Sequence, residues 1–423
     1  MSTKTTPYRK DRLPNIIEYL LLSLMAISIP ISWSFSIKVM AALLIVMLCK
    51  QPWKKGWNNK AIKGWNKMGI TLAIGYFLLC LISLAYTQNM HEGWFNLNKK
   101  LPFLLFGIYF LFSDLSYMKK IHVNTLLFLF SGALLCRFIV RLIKFIPSIH
   151  SFNSLLSPSF DPIHHAYLSM YTLLALVFVY WKLGEWKHLS ATYRVFLATC
   201  GICMILYTLF VQSRAGVLCM ILLMIGMLLH TLFIRKQKRL GILAVSLLIL
   251  GAGAALLSPN GNHRLTKTAK EISSGDHSDI RLEIWSNAIG TIGENLPFGV
   301  GIGDRFDAIA SNYPDSTSGS QLKQGHIYNP HNQYLDTTLS IGIPGILVLL
   351  AMLILPFVQY LKGGKSSFYA EYMLPFLAII ILSCPFESIF ERQMGVLFFC
   401  FFYGLFLLQP NREISTANPT EEA

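Results

Sequence analysis

The feature that most limits the fold is one kind of segment, repeated: about twelve apolar runs long enough to cross a hydrocarbon layer of ~30 Å, separated by short polar or basic stretches. They fall near 15–33, 36–50, 68–86, 101–113, 123–143, 165–181, 195–212, 215–234, 240–257, 334–361, 370–385 and 394–408. Backbone in lipid must satisfy its own hydrogen bonds, so these runs are expected to be helices. The shorter ones must tilt or thin the bilayer locally. With 54% hydrophobic and 13% charged residues, the chain carries more apolar surface than a water-soluble domain can hide. The expectation is an all-α integral membrane protein, one polytopic domain over 1–423, with a long loop at 258–333 and a polar tail at 409–423.

The net charge of +15 would suggest nucleic acid in a soluble protein. Here the basic residues cluster between spans instead, at 50–67 ("KQPWKKGWNNKAIKGWNK"), 118–120 and 235–239. The positive-inside rule then puts both termini in the cytoplasm. The first run follows Lys4, Arg9, Lys10 and Arg12, yet lacks a clear cleavage site and reads as a retained helix. The eight cysteines lie in or at the ends of spans, so no disulfide framework is expected, and Cys200 and Cys203 read as small packing residues.

The segments left facing outward are 87–100, 144–164, 258–333, 386–393 and the tight turn "QSRAG" at 212–216. In the long loop, Ile280, Ile284, Ala288 and Ile292 recur at helical spacing, with Trp285 beside them. This predicts an amphipathic helix lying on the outer leaflet, ending at Gly293 and carrying Arg281 on its polar side, with Trp285 in the headgroup layer. In "PFGVGIG", Gly299, Gly301 and Gly303 lack the strand–helix setting of a dinucleotide site. A flexible return loop is the favoured reading, a backbone nest for phosphate the other.

Several cations share the outer edge. Arg214 has almost no loop to carry it into water, Arg137 and Arg141 lie one turn apart on one helix face, and Lys99 and Lys100 precede the fourth span. Snorkelling accounts for some such residues, and headgroup binding is the plain alternative for the rest. A shared lipid phosphate or diphosphate is the functional reading, suited to arginine's two-pronged donor geometry. In "NPHNQYLDTTLSIGIPG", Asn329 is a candidate N-cap and Pro330 a first helical residue, placing His331 in a helix's first turn. There the helix dipole favours a neutral ring able to accept a proton from a sugar hydroxyl; a mere interfacial anchor is the alternative. Gly342, Pro344 and Gly345 are expected to bend that helix. His164 and His165 begin the sixth span, where His165 either lines the site or anchors the helix. Metal-ligand spacing is missing, and neither metal nor other cofactor is expected.

Taken together, "HHAYLSMY" (164–171), "QSRAG", the R-x-x-x-W of Arg281 and Trp285 followed by "PFGVGIG", and "HNQYLDTTLSIGIPG" (331–345) resemble the O-antigen ligase and polymerase superfamily of bacterial membrane glycosyltransferases. That resemblance implies transfer of a glycan from an undecaprenyl-diphosphate carrier at the periplasmic face, without nucleotide sugar or metal. It implies that Arg214 and Arg281 hold the diphosphate and that His331 activates the acceptor, in ligases the core sugar of lipid A–core. Arg137, Arg141, Lys99 and His165 are possible lining residues on depth and charge alone. Polymerases and protein O-oligosaccharyltransferases share these motifs. A lipid-linked glycan transporter is the competing class, disfavoured because the unusual residues gather at one face rather than the midplane.

Overall fold

A computed structural model describes residues 12–51, 62, 64–145, 163–185, 188–211, 213–234, 236, 280–311, 329–362 and 369–408. The expected ninth span (240–257), most of the long loop and the tail lie outside them. Among the described residues, the main helices are α1 (Arg12–Ser28), α2 (Trp33–Cys49), α3 (Trp65–Ser83), α4 (Met90–Phe112), α5 (Lys120–Phe145), α6 (His165–Leu183) and α7 (Ala191–Phe210). They continue as α8 (Arg214–Leu229), α9 (Ile280–Glu294), α10 (Arg305–Ser311), α11 (Gln333–Leu361), α12 (Leu374–Ser383) and α13 (Gln393–Leu407). Among the described residues, six helices are long and apolar enough to cross a membrane: α3, α5, α6, α7, α8 with the short turn that extends it to Ile234, and α11. The apolar parts of α1, α2 and α13 are shorter, as is the Ala370–Ser383 segment that contains α12.

Two helices form the centre. In α13 every residue from Gly395 to Leu407 is buried, and in α6 so is every residue from Ala166 to Val179. A helix apolar all round belongs inside a bundle. Its packing in lipid rests on close contact rather than on exclusion of water. The aromatic rings supply that contact: Phe398 lies 4.7 Å from Tyr171 and Phe402 lies 4.9 Å from Phe130, centroid to centroid. Both helices begin at the same end of the bundle, which therefore rests on the most rigid part of the molecule. The opposite end is clamped by Lys50 on Glu18 (2.7 Å) and Lys120 on Glu371 (2.7 Å).

The α11 helix is broken at Ile341 and Gly342, the latter at φ +64°. Pro344 has no N–H for Ser340 O, and Ile343 N–H has turned away from Leu339 O to Pro297 O (2.8 Å). The two released carbonyls accept instead from Gly301 N–H (3.0 Å) and Val300 N–H (2.8 Å). The glycine loop is therefore pinned rather than a flexible return. The approach is so close that a Cβ on Gly299 would meet Leu339 O and one on Gly342 would meet Pro297 O. Beyond it, both Asp304 oxygens accept from the N–H groups of Gln88 and Asn89, each at 2.7 Å.

The fourth helix also departs from expectation. It begins at Met90, capped by Asn89, so Lys99 and Lys100 lie inside it rather than in a loop before it. Their charges lower the local hydropathy, but Lys100 is neutralised by an acid almost three hundred residues away, and the helix continues through it.

Gly342→Ala should cost about 1–3 kcal/mol, through backbone strain and the Pro297 contact. Gly75→Ala, in open space within α3, should stabilise by about 0.5–1 kcal/mol. Unfolding curves of the two purified variants check both.

Candidate active site

At the end where α6, α11 and α13 begin, the chain builds a short ledge around His331. Helix α11 starts at Gln333, because Asn332 rather than Asn329 is its N-cap, accepting from the N–H groups of Tyr334 (3.0 Å) and Leu335 (3.2 Å). His331 thus stands just outside the helix, not in its first turn. It is held at φ +46°, an uncommon conformation for a residue other than glycine. Its N–H donates to Asn329 Oδ1 (2.9 Å), an oxygen that also accepts from Ser388 Oγ (2.6 Å). Trp285 Nε1 of α9 donates to Pro330 O (2.7 Å), and Gln333 N–H to Cys384 O (2.8 Å). Four separate ties fix the backbone on either side of the ring.

The ring's Nδ1 is buried and lies 3.7 Å from Glu387 Oε2; the side chain as a whole is 37% exposed. The same carboxylate oxygen lies 3.9 Å from Nδ1 of His164, whose ring stacks on His165 with centroids 4.0 Å apart. Burial pushes the His164 ring down to about 4, against the pull of Glu387, so it is neutral. Burial would raise the Glu387 carboxyl, but His331 and His164 outweigh it and hold the acid below its ordinary value. Glu387 is a buried carboxylate between two imidazoles.

Next to this ledge lies a second polar group. Arg305 of α10, fully buried, spans both oxygens of Glu391 and reaches Asp336 Oδ2 (3.3 Å). Lys100 of α4 donates to Glu391 Oε1 (2.8 Å). Two cations thus meet two carboxylic acids. Burial opposes the charge on Glu391, but Arg305 and Lys100 more than offset it and keep the carboxyl well below its ordinary value. Gln333 ties the groups together: its Oε1 accepts from Phe390 N–H (2.6 Å) and its Nε2 donates to Thr337 Oγ1 (2.9 Å).

Residues 199–350 match the family model described as O-Antigen ligase. The matched stretch contains α8, α9, the glycine loop, α10 and His331, while Glu387, Glu391 and His164 lie outside it. The match covers part of the chain and supports the O-antigen ligase superfamily. Comparison with curated proteins returns no match. The match and the apolar helices together support a multi-pass membrane protein with a domain of the O-antigen ligase or polymerase type of glycosyltransferase, a family whose substrates are lipid-linked glycans.

Within this O-antigen ligase framework, Arg214 is the first residue of α8, whose N-cap Ser213 accepts from Gly216 N–H (3.0 Å). Gly216 lies against Ser169, one turn into α6 from His165. Arg281 is in the first turn of α9, the helix that Trp285 fastens to Pro330. That bond draws Trp285 to the protein rather than to headgroups. The apolar face of α9, Ile284 and Ala288, is buried with Ile309 and Leu339, so the helix lies on α10 and α11. His165 joins the His164 pair. Arg137 donates to the carbonyls of Pro30 (2.9 Å) and Ile31 (3.3 Å), and Arg141 lies 6.0 Å from the Tyr207 ring. Lys99 donates to Asn96 Oδ1 (2.8 Å) and covers Phe95 (4.1 Å). Sequence reasoning missed Arg305, Asp336, Glu387 and Glu391. The signal was present in "PFESIFERQMG", where two acids and an arginine sit between two apolar runs, as conspicuous as the arginine of "QSRAG".

Arg305→Met leaves Glu391 and Asp336 with one cation between them and should cost about 3–5 kcal/mol. Arg305→Met with Glu391→Leu, leaving Lys100 to Asp336, should recover most of it in unfolding curves. The depressed Glu391 value also predicts acid sensitivity. Its contribution is fully present above the ordinary carboxyl value of 4.5 and is lost as pH falls through the lower folded value. Glu391→Gln should show a smaller loss over that window.

Proposed function

We propose that this chain is an O-antigen ligase: it moves a glycan from undecaprenyl diphosphate to lipid A–core at the periplasmic face of the inner membrane, with His331 as general base and Arg214 and Arg281 holding the diphosphate. The observation that carries the reading is the convergence on the His331 ledge. Helix α9, bearing Arg281, is bonded to Pro330; helix α6 meets the ledge through His164 and Glu387, and also seats the start of α8, where Arg214 stands. Helix starts favour anions, because their first N–H groups are unpaired and the helix dipole is positive there.

In this mechanism the arginines bind the diphosphate and stabilise the charge that develops on its departing oxygen. The acceptor hydroxyl attacks the anomeric carbon as its proton passes to the exposed edge of the His331 ring. The C–O bond to the carrier breaks with its electron pair left on the phosphate. Attack from the face opposite the leaving group inverts the anomeric centre. Cleavage of the lipid-linked diphosphate supplies the driving force, so no nucleotide is needed.

Purified protein in proteoliposomes, supplied with undecaprenyl-diphosphate-linked glycan and lipid A–core, should make the joined product. His331→Asn keeps a side chain that tolerates φ above zero and should lower turnover by about 10²–10⁴-fold with donor binding retained. Arg214→Ala and Arg281→Ala should weaken donor binding. Joining of repeat units on the carrier would instead identify a polymerase. Full turnover by His331→Asn would remove the histidine from the mechanism.

A further inference from the structure

Glu387 has no part in the transfer as proposed so far, although it is the acid nearest His331. Its side chain is only 8% exposed, and a carboxylate so placed needs compensation. The groups facing it are the Nδ1 atoms of His331 and His164, both buried and without a hydrogen-bond partner. The two rings are not equivalent. The His164 ring lies against that of His165, and burial pushes it down to about 4. His331 is part exposed; with Nδ1 buried toward the acid, it presents its opposite edge, with Nε2, to the outside.

The backbone keeps this pairing in register. Asn329 Oδ1 accepts from both His331 N–H, two residues on, and Ser388 Oγ, the neighbour of Glu387. Glu387 N–H is itself bonded to Ser383 O at the end of α12 (3.1 Å). One shared oxygen thus ties the backbone at His331 to the side chain of Ser388, next to Glu387.

We propose that Glu387 is the positioning residue for His331: it holds the proton of the neutral ring on Nδ1, leaves the Nε2 lone pair facing the acceptor, and balances the imidazolium formed during transfer. This rests on the reading of His331 as the base. In the step, the acceptor O–H bond breaks and its proton joins Nε2 as the new O–C bond forms and the carrier phosphate leaves. Glu387 neither gains nor loses a proton; its charge lies 3.7 Å from the ring nitrogen that becomes positive. An acid that orients a ring and stabilises its charged form has this role in hydrolytic triads and metal sites alike.

The test uses the full chain in lipid nanodiscs with ¹⁵N-labelled histidine, the His331 signals being assigned by their loss in His331→Asn. In the parent protein the neutral ring should carry its proton on Nδ1; a proton on Nε2 overturns the proposal without any variant. Glu387→Gln should lower kcat by about 10–100-fold with KM for donor and acceptor unchanged, and should mix the two ring tautomers. Glu387→Asp, which keeps the charge, should regain most of the lost kcat. If Glu387→Gln turns over like the parent, or fails in proportion to lost folded protein while the ring keeps its tautomer, Glu387 has no positioning role. Those results leave the His331 reading intact, whereas full turnover by His331→Asn ends that reading and this one together.

Discussion

The two carbonyls released at the break in α11 set the arrangement of the whole working end. A helix broken where it is buried leaves Leu339 O and Ser340 O without their intrahelical donors, and each unpaired group in an apolar medium costs several kcal/mol. The N–H groups of Val300 and Gly301 meet that need. They can do so only if the backbones nearly touch, which is why glycine stands at 299 and 342, both at positive φ. Once the loop is seated, Asp304 reaches the turn between α3 and α4, and Arg305 enters the interior beside α11. The loop's cost of ordering is thus offset by hydrogen bonds that the broken helix required in any case.

Two polar groups then divide the labour. In the Arg305, Lys100, Glu391 and Asp336 group the cations are matched to acids and shielded from water, so they join α4, α10, α11 and the turn before α13 without offering free charge to a substrate. The Glu387 group is built the other way. One carboxylate faces two rings, one of them neutral, and the second stays partly open to solvent. A matched set suits a frame; an unmatched set next to an exposed imidazole suits proton transfer.

How far the sequence could be read follows from the range of the forces involved. Hydropathy is local, and the apolar helices could be placed from it. His331 was conspicuous for a local reason too, as an ionisable ring at the mouth of an apolar run. What could not be read depends on partners far along the chain. Lys100 looked like a loop residue because its acid, Glu391, lies 291 positions away. The glycine loop looked flexible because its backbone partners belong to a helix not yet reached. The helix start was misplaced at Asn329, although Asn332 is an equally good cap by type. Ser388 and the N–H of His331 claim the first, which leaves the cap to the second. That difference of three residues moves His331 out of the helix, and with it the reason for its chemistry: a buried acid, not the helix dipole, is what the ring faces.

A left-handed histidine costs on the order of 1–3 kcal/mol and persists only where its surroundings leave no alternative. Here the bonds to Asn329, Pro330, Asn332 and Gln333 supply that restraint, from α9, α11 and the segment joining α12 to α13. Those elements rest on α6 and α13, which are buried on every side. The strain has a geometric result. Placed inside the first turn, the ring would lie along the flank of α11 among its neighbours. Placed before it, at positive φ, one edge meets Glu387 and the other remains accessible. Burial at the centre of the bundle is therefore what permits a strained and partly exposed histidine at its rim.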